Sequence, residues 1–140
     1  MEITNAHLAA DLVLFAVDKH DQEHVLLIRR SWPPFVGCWA LPGGYVNTDE
    51  ETDDAARREL KEETGLVAPA DLITVGAYAA VGRDPRARVV SFVYTAALPM
   101  LFKPVPGDDA KDARWFPLTA LPPLAFDHAT ILDAAVQAWN

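Results

Sequence analysis

Short apolar blocks separated by polar turns run along most of the chain, a pattern typical of a protein rich in strands. The segments 8–17 and 25–28 are apolar and partly β-branched, and the polar segment 18–23 lies between them. Apolar runs of this length bounded by turn residues predict strands, and the short polar connection predicts that these two form a hairpin. A further short strand is predicted over 39–41, stopping at the proline and two glycines that follow.

The pattern becomes helical twice. From 51 to 64 acidic residues crowd the first turn, and Gly65 is a residue type that commonly ends a helix. The candidate N-caps of this helix are Thr48, Asp49 and Thr52. Apolar positions spaced three and four apart predict a second helix that runs to Trp139, with Asp127 as its cap.

Three more strands are predicted over 72–80, 88–98 and 113–116, with a long proline-containing loop over 99–109. Strands outnumber helices and the two kinds of element interleave, which predicts a mixed sheet covered by helices, in the α/β (α+β) class. The chain shows no internal repeat and no segment that resembles a linker. We expect a single domain over 1–140.

Composition narrows the classes of partner. The chain has 140 residues, 51% of them apolar, and a net charge of −8. Binding to nucleic acid or to an anionic membrane surface requires clustered positive charge, so we expect neither partner. Cys38 is the single cysteine, and no apolar run approaches the roughly 18 residues of a membrane span. A cytoplasmic protein is expected.

The acidity is concentrated in one place. Eight of the 20 acidic residues lie between positions 49 and 63. On a helix Glu59, Glu62 and Glu63 share one face, where three carboxylates repel one another. A hard cation such as Mg²⁺ would relieve the repulsion. An ordinary solvated acidic helix face is the alternative interpretation.

The residues around this helix follow a longer pattern. Its fixed positions are Gly44, Glu50, Arg58-Glu59-Leu60, Glu62-Glu63, Gly65 and Leu66. The pattern resembles the Nudix box, the signature of the Nudix hydrolases, and every specified position and spacing is matched over 44–66. The segments 39–44 and 113–116 are also similar to the family's usual surroundings. The resemblance implies the Nudix fold, a mixed β-sheet sandwiched between α-helices.

The resemblance also implies a chemistry. Nudix hydrolases cleave a nucleoside diphosphate linked to another moiety, and they use divalent cations, so Mg²⁺ is the expected cofactor, with Mn²⁺ as an alternative. By resemblance Glu59, Glu62 and Glu63 are metal ligands, and one of them acts as the general base. Gly44 is expected to add its carbonyl oxygen. Arg58 is expected to orient a glutamate through a bidentate pair.

Several residues are expected to play supporting roles. Glu50 is predicted to anchor the loop to the helix. Asn47 departs from the many family members that carry another Glu there, outside the specified pattern. Asp108, Asp109 and Asp112 follow the long loop, where relatives often supply an extra acid; for Asp112 a supporting role and a plain surface charge are both open.

Substrate contacts are predicted outside the box. Arg83, Arg86 and Arg88 are candidates to bind phosphate or a terminal ribose, with a solvated turn as the alternative. Of Arg29 and Arg30 at the end of the second strand, one is expected to reach a phosphate and the other to be exposed, and Arg29 is the predicted contact. Trp32 and Phe35 either stack on a base or cover the core edge or a subunit contact.

The segments 82–86 and 107–109 resemble the ADP-ribose pyrophosphatase-like branch. The predicted function is hydrolysis of ADP-ribose or a related nucleotide derivative to a nucleoside monophosphate and a phosphorylated product. Cleavage of a nucleoside triphosphate, including an oxidised one, is the enzymatic alternative. A non-catalytic domain that senses a nucleotide and an acidic interaction module are the non-enzymatic ones. A homodimer is expected because homodimers are common in the family.

Overall fold

The elements were assigned in a computed structural model, which describes residues 1–107 and 109–139; Asp108 and Asn140 lie outside the described residues. The strands are β1 (His7–Val17), β2 (Glu23–Arg30), β3 (Trp39–Ala40), β4 (Gly43–Tyr45), β5 (Ile73–Tyr78), β6 (Val89–Leu98) and β7 (Ala110–Pro117). The helices are α1 (Thr52–Thr64) and α2 (His128–Trp139).

The strands form one mixed sheet, as the sequence predicts. The order is β3-β2-β1-β6-β5, with β4 paired to β1 and β7 paired to β2. Strand β1 runs parallel to β6 along nearly its whole length, and every other pairing is antiparallel. The predicted hairpin of β1 and β2 is confirmed.

Strand β1 supplies both faces of the core because successive side chains point to opposite sides of a sheet. Leu12 and Leu14 are fully buried in the cluster that contains Leu60 of α1. Val13 lies in a second cluster that contains Ile131 of α2. The two helices therefore cover opposite faces of the sheet.

The ends of α1 agree only partly with the prediction. Gly65 adopts the left-handed conformation with φ 72°, and its N–H donates to the Lys61 carbonyl at 2.9 Å. The predicted N-caps are wrong: the helix begins after Glu51, and no side chain caps it. Thr52 instead shares a hydrogen bond with the Tyr94 hydroxyl, which removes its side chain from the helix end.

Strand β4 is a correction to the sequence analysis, which ended the preceding strand at the glycines. Gly43, Gly44 and Tyr45 pair antiparallel with residues 9–11 of β1. Two adjacent glycines weaken any local signal for a strand, and close contact with neighbouring backbone is a common reason for glycine inside one.

Within the described residues, no helix is long and apolar enough to cross a membrane.

Candidate active site

Strand β4 brings its backbone very close to β1 and to α1. A Cβ atom at Gly43 would lie 2.0 Å from Asp11 Oδ1 and 2.5 Å from the Ala10 carbonyl oxygen. At Gly44 a Cβ atom would lie 2.6 Å from the carboxyl carbon of Glu59. Because only glycine permits these approaches, Gly43 and Gly44 of β4 form a ribbon without side chains between β1 and the acidic face of α1.

Two of the three predicted metal-binding glutamates lie against this ribbon. Glu63 Oε1 accepts a hydrogen bond of 2.8 Å from the Gly43 N–H. The Glu59 carboxylate lies beside Gly44, and its side chain is 15% exposed. Glu62 is 58% exposed and lies on the outer rim. The structure thus groups Gly44 with Glu59 and Glu63 and places Glu62 further out.

Arg58 connects the acidic residues to one another. Its Nε and Nη2 donate to the two carboxylate oxygens of Glu50 at 2.7 and 2.9 Å. Nη1 donates to Glu59 at 2.8 Å and to Glu62 at 3.2 Å, and Nη2 also reaches the Tyr45 carbonyl oxygen at 3.0 Å. This geometry agrees with an orienting role for Arg58 and with an anchoring role for Glu50, which ties the loop before α1 to the helix.

The surroundings of Glu59 and Glu63 disfavour the ionised form of both side chains. Burial raises the pKa of Glu63 to about 9; repulsion by Glu59 and Asp11 adds to this, while the Gly43 N–H opposes it. Burial also raises the pKa of Glu59, against the hydrogen bond and positive charge of Arg58. A cation beside these two carboxylates would favour their ionised forms.

The donor atoms fit a magnesium ion. The Glu59 and Glu63 carboxylates and the Gly44 carbonyl are hard oxygen donors, the type that Mg²⁺ prefers. Among residues 1–107 and 109–139, no three His, Cys, Asp or Glu side chains are already grouped as a metal cage. Mg²⁺ usually takes one or two carboxylates and fills its other positions with water and substrate phosphates, so Glu59 and Glu63 supply enough carboxylates for it.

A cavity of about 160 Å³ opens beside the inner glutamate. The residues that line it include Asp11, Arg30, Glu63, Arg86, Phe126 and His128. They come from β1, β2, α1, α2 and the loops before β6 and α2. The cavity is therefore lined by carboxylates, which form an acidic wall next to β4, and by guanidinium groups.

Arg30 is the pocket guanidinium without an acidic partner. Its Nε donates to the Pro34 carbonyl at 2.7 Å, and its Nη2 reaches the Trp32 carbonyl at 3.3 Å. The guanidinium carbon lies 4.8 Å from the centre of the Phe126 ring. Within the described part of the chain, no carboxylate lies within ion-pair distance of it. Its charge is available to an anion in the cavity.

The other two pocket arginines are already paired. Arg83, predicted to bind substrate, does line the cavity, but it donates to both carboxylate oxygens of Asp127 at 2.7 and 2.9 Å. Arg86 donates to both oxygens of Asp84 at 2.7 and 3.0 Å. Each pair leaves little net charge for a ligand and instead stiffens the pocket wall.

The structure places Arg30 on the pocket wall and leaves the predicted Arg29 and Arg88 outside the lining. Arg29 Nε donates to the Gly37 carbonyl at 2.9 Å, and Arg88 Nη2 donates to the Ala79 carbonyl at 3.1 Å. Neighbouring strand residues point to opposite faces, so Arg29 and Arg30 do not share a direction. The register of β2 also shifts between them, which sequence spacing does not reveal.

The remaining predicted residues lie at the periphery. Asp112 does not line the cavity and forms an ion pair of 2.6 Å with Arg114, which agrees with a surface charge. Trp32 is 65% exposed. Phe35 packs edge-on against Phe126, with ring centres 4.9 Å apart, so it supports the pocket from outside.

The sequence pattern does not single out Asp11 or Phe126 as site residues, and it names Arg30 only as the alternative to Arg29. Asp11 did carry a signal, since it is an acidic residue within the apolar run of β1, and buried acids are rare without a partner. Arg30 could not be separated from its neighbour without the β2 register. Phe126 offered no signal.

Comparison with known proteins agrees with the geometry. A family model described as NUDIX domain matches residues 6–135. The chain is 47% identical over 108 residues to an ADP-ribose pyrophosphatase of Methanocaldococcus jannaschii, covering 77% of this chain and 63% of that protein. It is 34% identical over 137 residues to the ADPR responsive transcriptional repressor NtrR of Acinetobacter baylyi, covering 95% of this chain and 54% of the repressor. The chain thus spans less than two thirds of the length of these curated relatives.

A solved structure extends the likeness to the whole fold. The NUDIX domain of Shewanella oneidensis NrtR, crystallised with ADP ribose, matches with a TM-score of 0.89 and 31% identity, covering 99% of this chain and 91% of that domain. The fold predicted from the motif is confirmed. With the family model matched over nearly the full chain and the motif residues arranged around β4 and α1, this chain belongs to the NUDIX domain family.

Proposed function

We propose that the chain hydrolyses the pyrophosphate bond of ADP-ribose or a related nucleoside diphosphate derivative in a Mg²⁺-dependent reaction, with Mn²⁺ as an alternative ion. The products are a nucleoside monophosphate and a phosphorylated sugar. One observation carries the proposal: the Glu63 carboxylate at the ribbon of β4 and the unpaired guanidinium of Arg30 face the same cavity.

The acidic wall serves as the cation site in this proposal. Glu59, Glu63 and the Gly44 carbonyl hold the ion, and Glu62 joins them from the rim. When bound, the ion neutralises the diphosphate and lowers the pKa of a water molecule. Arg58 keeps the Glu59 carboxylate in place through its hydrogen bond of 2.8 Å and partly offsets the repulsion among the glutamates.

Arg30 serves as the phosphate anchor in this proposal. Arg30 presents a half-buried guanidinium with backbone carbonyls as its only hydrogen-bond acceptors in the described structure. A phosphate oxygen would gain charge-assisted hydrogen bonds there. The Phe126 ring packs against the guanidinium on one side and restricts its movement.

The choice of ADP-ribose is supported by the relatives. The Methanocaldococcus protein is named an ADP-ribose pyrophosphatase, and the Shewanella domain was crystallised with ADP ribose. Two alternatives remain. Hydrolysis of nucleoside triphosphates, including oxidised ones, needs the same cation site. A nucleotide sensor without catalysis is favoured by the Acinetobacter relative, which is named an ADPR responsive repressor.

A panel assay separates these functions. The purified chain is incubated with ADP-ribose, other nucleoside diphosphate sugars, and ordinary and 8-oxo deoxynucleoside triphosphates, each with Mg²⁺, Mn²⁺ or EDTA. Release of nucleoside monophosphate is followed by chromatography. We expect the highest kcat/KM for ADP-ribose, activity with either metal, and none in EDTA.

Matched variants test the site within the same assay. Glu59→Gln and Glu63→Gln are expected to lower kcat by about 100-fold or more because each removes a charged metal ligand. Glu51→Gln at the exposed start of α1 is the control and should leave activity unchanged. Binding of ADP-ribose without turnover of any compound would favour the sensor, and turnover of triphosphates alone would favour that alternative.

Three further expectations from the sequence stay predictions: a homodimer, a cytoplasmic location and the absence of a nucleic-acid partner. Light scattering of the purified chain would test the first. A gel-shift assay with duplex DNA, with and without ADP-ribose, would test the last.

A further inference from the structure

Asp11 and His128 form the floor of the cavity, and the proposed reaction leaves both without a role. Asp11 lies in the middle of β1 and is 6% exposed; His128 begins α2 and is 5% exposed. Both side chains line the cavity that also contains Glu63 and Arg30. Burying two polar side chains this deeply is unfavourable unless their hydrogen-bonding groups find partners.

The contacts of Asp11 satisfy only part of its carboxylate. Oδ2 accepts a short hydrogen bond from the Ser91 hydroxyl. Oδ1 lies against the backbone of Gly43, where a Cβ atom would overlap it. No other donor within residues 1–107 and 109–139 reaches this carboxylate at hydrogen-bond distance. The carboxylate therefore keeps acceptor capacity toward the cavity.

The contacts of His128 fix which ring nitrogen carries the proton. Nδ1 accepts a hydrogen bond of 3.0 Å from the Leu41 N–H, so in the neutral ring the proton is on Nε2. Burial lowers the pKa of His128 and keeps the ring neutral at pH 7, although Asp11 and Asp127 act in the opposite direction. Nε2–H thus has no hydrogen-bond acceptor within the described residues.

The spacing of this donor and this acceptor suits one small group between them. His128 Nε2 and Asp11 Oδ2 are 3.9 Å apart, too far for a direct hydrogen bond. An oxygen about 2.8 Å from both would accept from Nε2–H and donate to Oδ2. A hydroxyl group can do both at once, whereas a phosphate oxygen can only accept and would be repelled by the Asp11 charge.

We propose that Asp11 and His128 select the substrate by binding one hydroxyl of the sugar attached to the diphosphate. This inference rests on the proposed function and deepens it. Arg30 takes a phosphate while the floor takes a neutral hydroxyl, so the cavity prefers a diphosphate ending in a sugar over a triphosphate. The pair acts on specificity and does not touch the bond that breaks.

The experiment removes single hydroxyls from the ligand. ADP-ribose and analogues that lack each hydroxyl of the terminal ribose in turn are compared by kcat/KM with Mg²⁺. Their affinities are also compared by calorimetry in EDTA, which needs no turnover. We expect one analogue to lose about 10- to 100-fold in both measurements, the usual cost of losing a hydrogen bond to a charged group.

Two variants assign that loss to the floor. His128→Asn keeps an acceptor for the Leu41 N–H and deletes the Nε2 donor, and Asp11→Asn replaces a charged acceptor by an amide. Either should bring ADP-ribose and the sensitive analogue within about threefold of each other. His24→Asn, at a histidine outside the cavity, should keep the wild-type ratio.

The outcomes are separable. If wild-type protein treats all the analogues alike, the pair holds a structural water and the inference is overturned, even if neither variant folds. A uniform loss on every ligand in the variants would overturn it as well. Turnover of triphosphates alone would contradict the proposed function. The affinity of ADP-ribose relative to its analogues in EDTA would still test whether Asp11 and His128 bind a hydroxyl.

Discussion

A single guanidinium organises the acidic face of α1. Arg58 contacts the carboxylates of Glu50, Glu59 and Glu62 at 2.7 to 3.2 Å and the Tyr45 carbonyl at 3.0 Å. Its fork binds Glu50 with two parallel hydrogen bonds while a third nitrogen reaches Glu59. One planar cation thereby sets the distance between the loop before the helix and the carboxylates on it.

Replacing this residue by lysine tests the importance of its shape. Arg58→Lys keeps the charge, but one ammonium cannot bond to Glu50 and Glu59 in the same geometry. We expect kcat to fall about 10- to 100-fold, the range for residues that orient metal ligands. The loss in unfolding free energy should be only about 1 kcal/mol because the pairs are partly exposed.

Arg57→Lys is the matched control on the same helix. Arg57 bonds to the carbonyl oxygens of Pro69 and Ala70 and forms no ion pair with a carboxylate among the residues that the structure describes. Its variant should keep the wild-type kcat. Equal kcat values for the two variants, measured at saturating Mg²⁺, would contradict an orienting role for Arg58.

At the scale of elements, the loop that follows β6 is fastened to the end of α1. The Val105 N–H donates to the Thr64 carbonyl at 2.8 Å, and the Gly107 N–H donates to the Glu63 carbonyl at 3.1 Å. The last carbonyls of a helix lack partners inside the helix, so this loop satisfies two of them. The backbone that carries Glu63 is therefore held from outside the helix as well as within it.

At Gly107 the backbone of the loop lies too close to α1 to leave room for a side chain. A Cβ atom there would lie 1.8 Å from the Glu62 carbonyl oxygen, which is backbone and cannot rotate away. Gly107→Ala should push the loop off the helix and cost about 1–3 kcal/mol of unfolding free energy, as overpacking does. We also expect lower kcat at saturating Mg²⁺, because the Glu63 backbone loses an external support. Thermal unfolding and the panel assay measure the two effects.

Gly82→Ala provides the comparison. A Cβ atom at Gly82 meets nothing within 4 Å, although the positive φ of 83° makes alanine strained there. That variant should lose stability through strain alone and keep the wild-type kcat at saturating Mg²⁺. If the two variants show the same kcat at saturating Mg²⁺, the loop does not position the helix end.

At the scale of the whole molecule, His128 makes folding depend on pH. Burial is the main cause of its lowered pKa; Arg83 and Arg30 add to it, and Asp11 and Asp127 oppose it. The ordinary pKa of a histidine is 6.5, and the fold lowers the pKa of His128 below it. Below pH 6.5 the unfolded chain therefore binds a proton at His128 more readily than the folded chain does. The contribution of the neutral His128 ring to the free energy of unfolding is complete above pH 6.5. It decreases as the pH falls, by up to about 1.4 kcal/mol per pH unit.

The check is urea unfolding of wild type and His128→Asn between pH 7.5 and 5. The difference in unfolding free energy between the two proteins should shrink as the pH falls, since other titrating groups largely cancel. A pH-independent difference for His128→Asn would show that the ring is not held neutral by the fold.

The sequence predicts the part of the site whose residues lie close together along the chain. Glu59 and Glu63 are four apart on one helix, so helical geometry alone places them on the same face. Arg30 and Phe126 are separated by most of the chain, and they meet only because β2 and the start of α2 lie beside the same part of the sheet. No spacing rule brings such residues together. The strand that contains Gly43 was missed for a related reason. Close contact with β1 requires glycine at this position, whereas the residues on either side of Gly43 in the sequence give no sign of that contact.

The alternation along β1 has a consequence for how this scaffold can be altered. The proposed cation site is built from α1 and β4, whereas the floor of the cavity is built from Asp11 on β1 and His128 on α2, with Ser91 of β6 bonded to Asp11. The backbone of Gly43 contacts both sets, through Glu63 and through Asp11. Under the two proposals, ligand preference depends on residues other than the metal ligands, which makes Asp11 and His128 the first positions to randomise in redesigning selectivity.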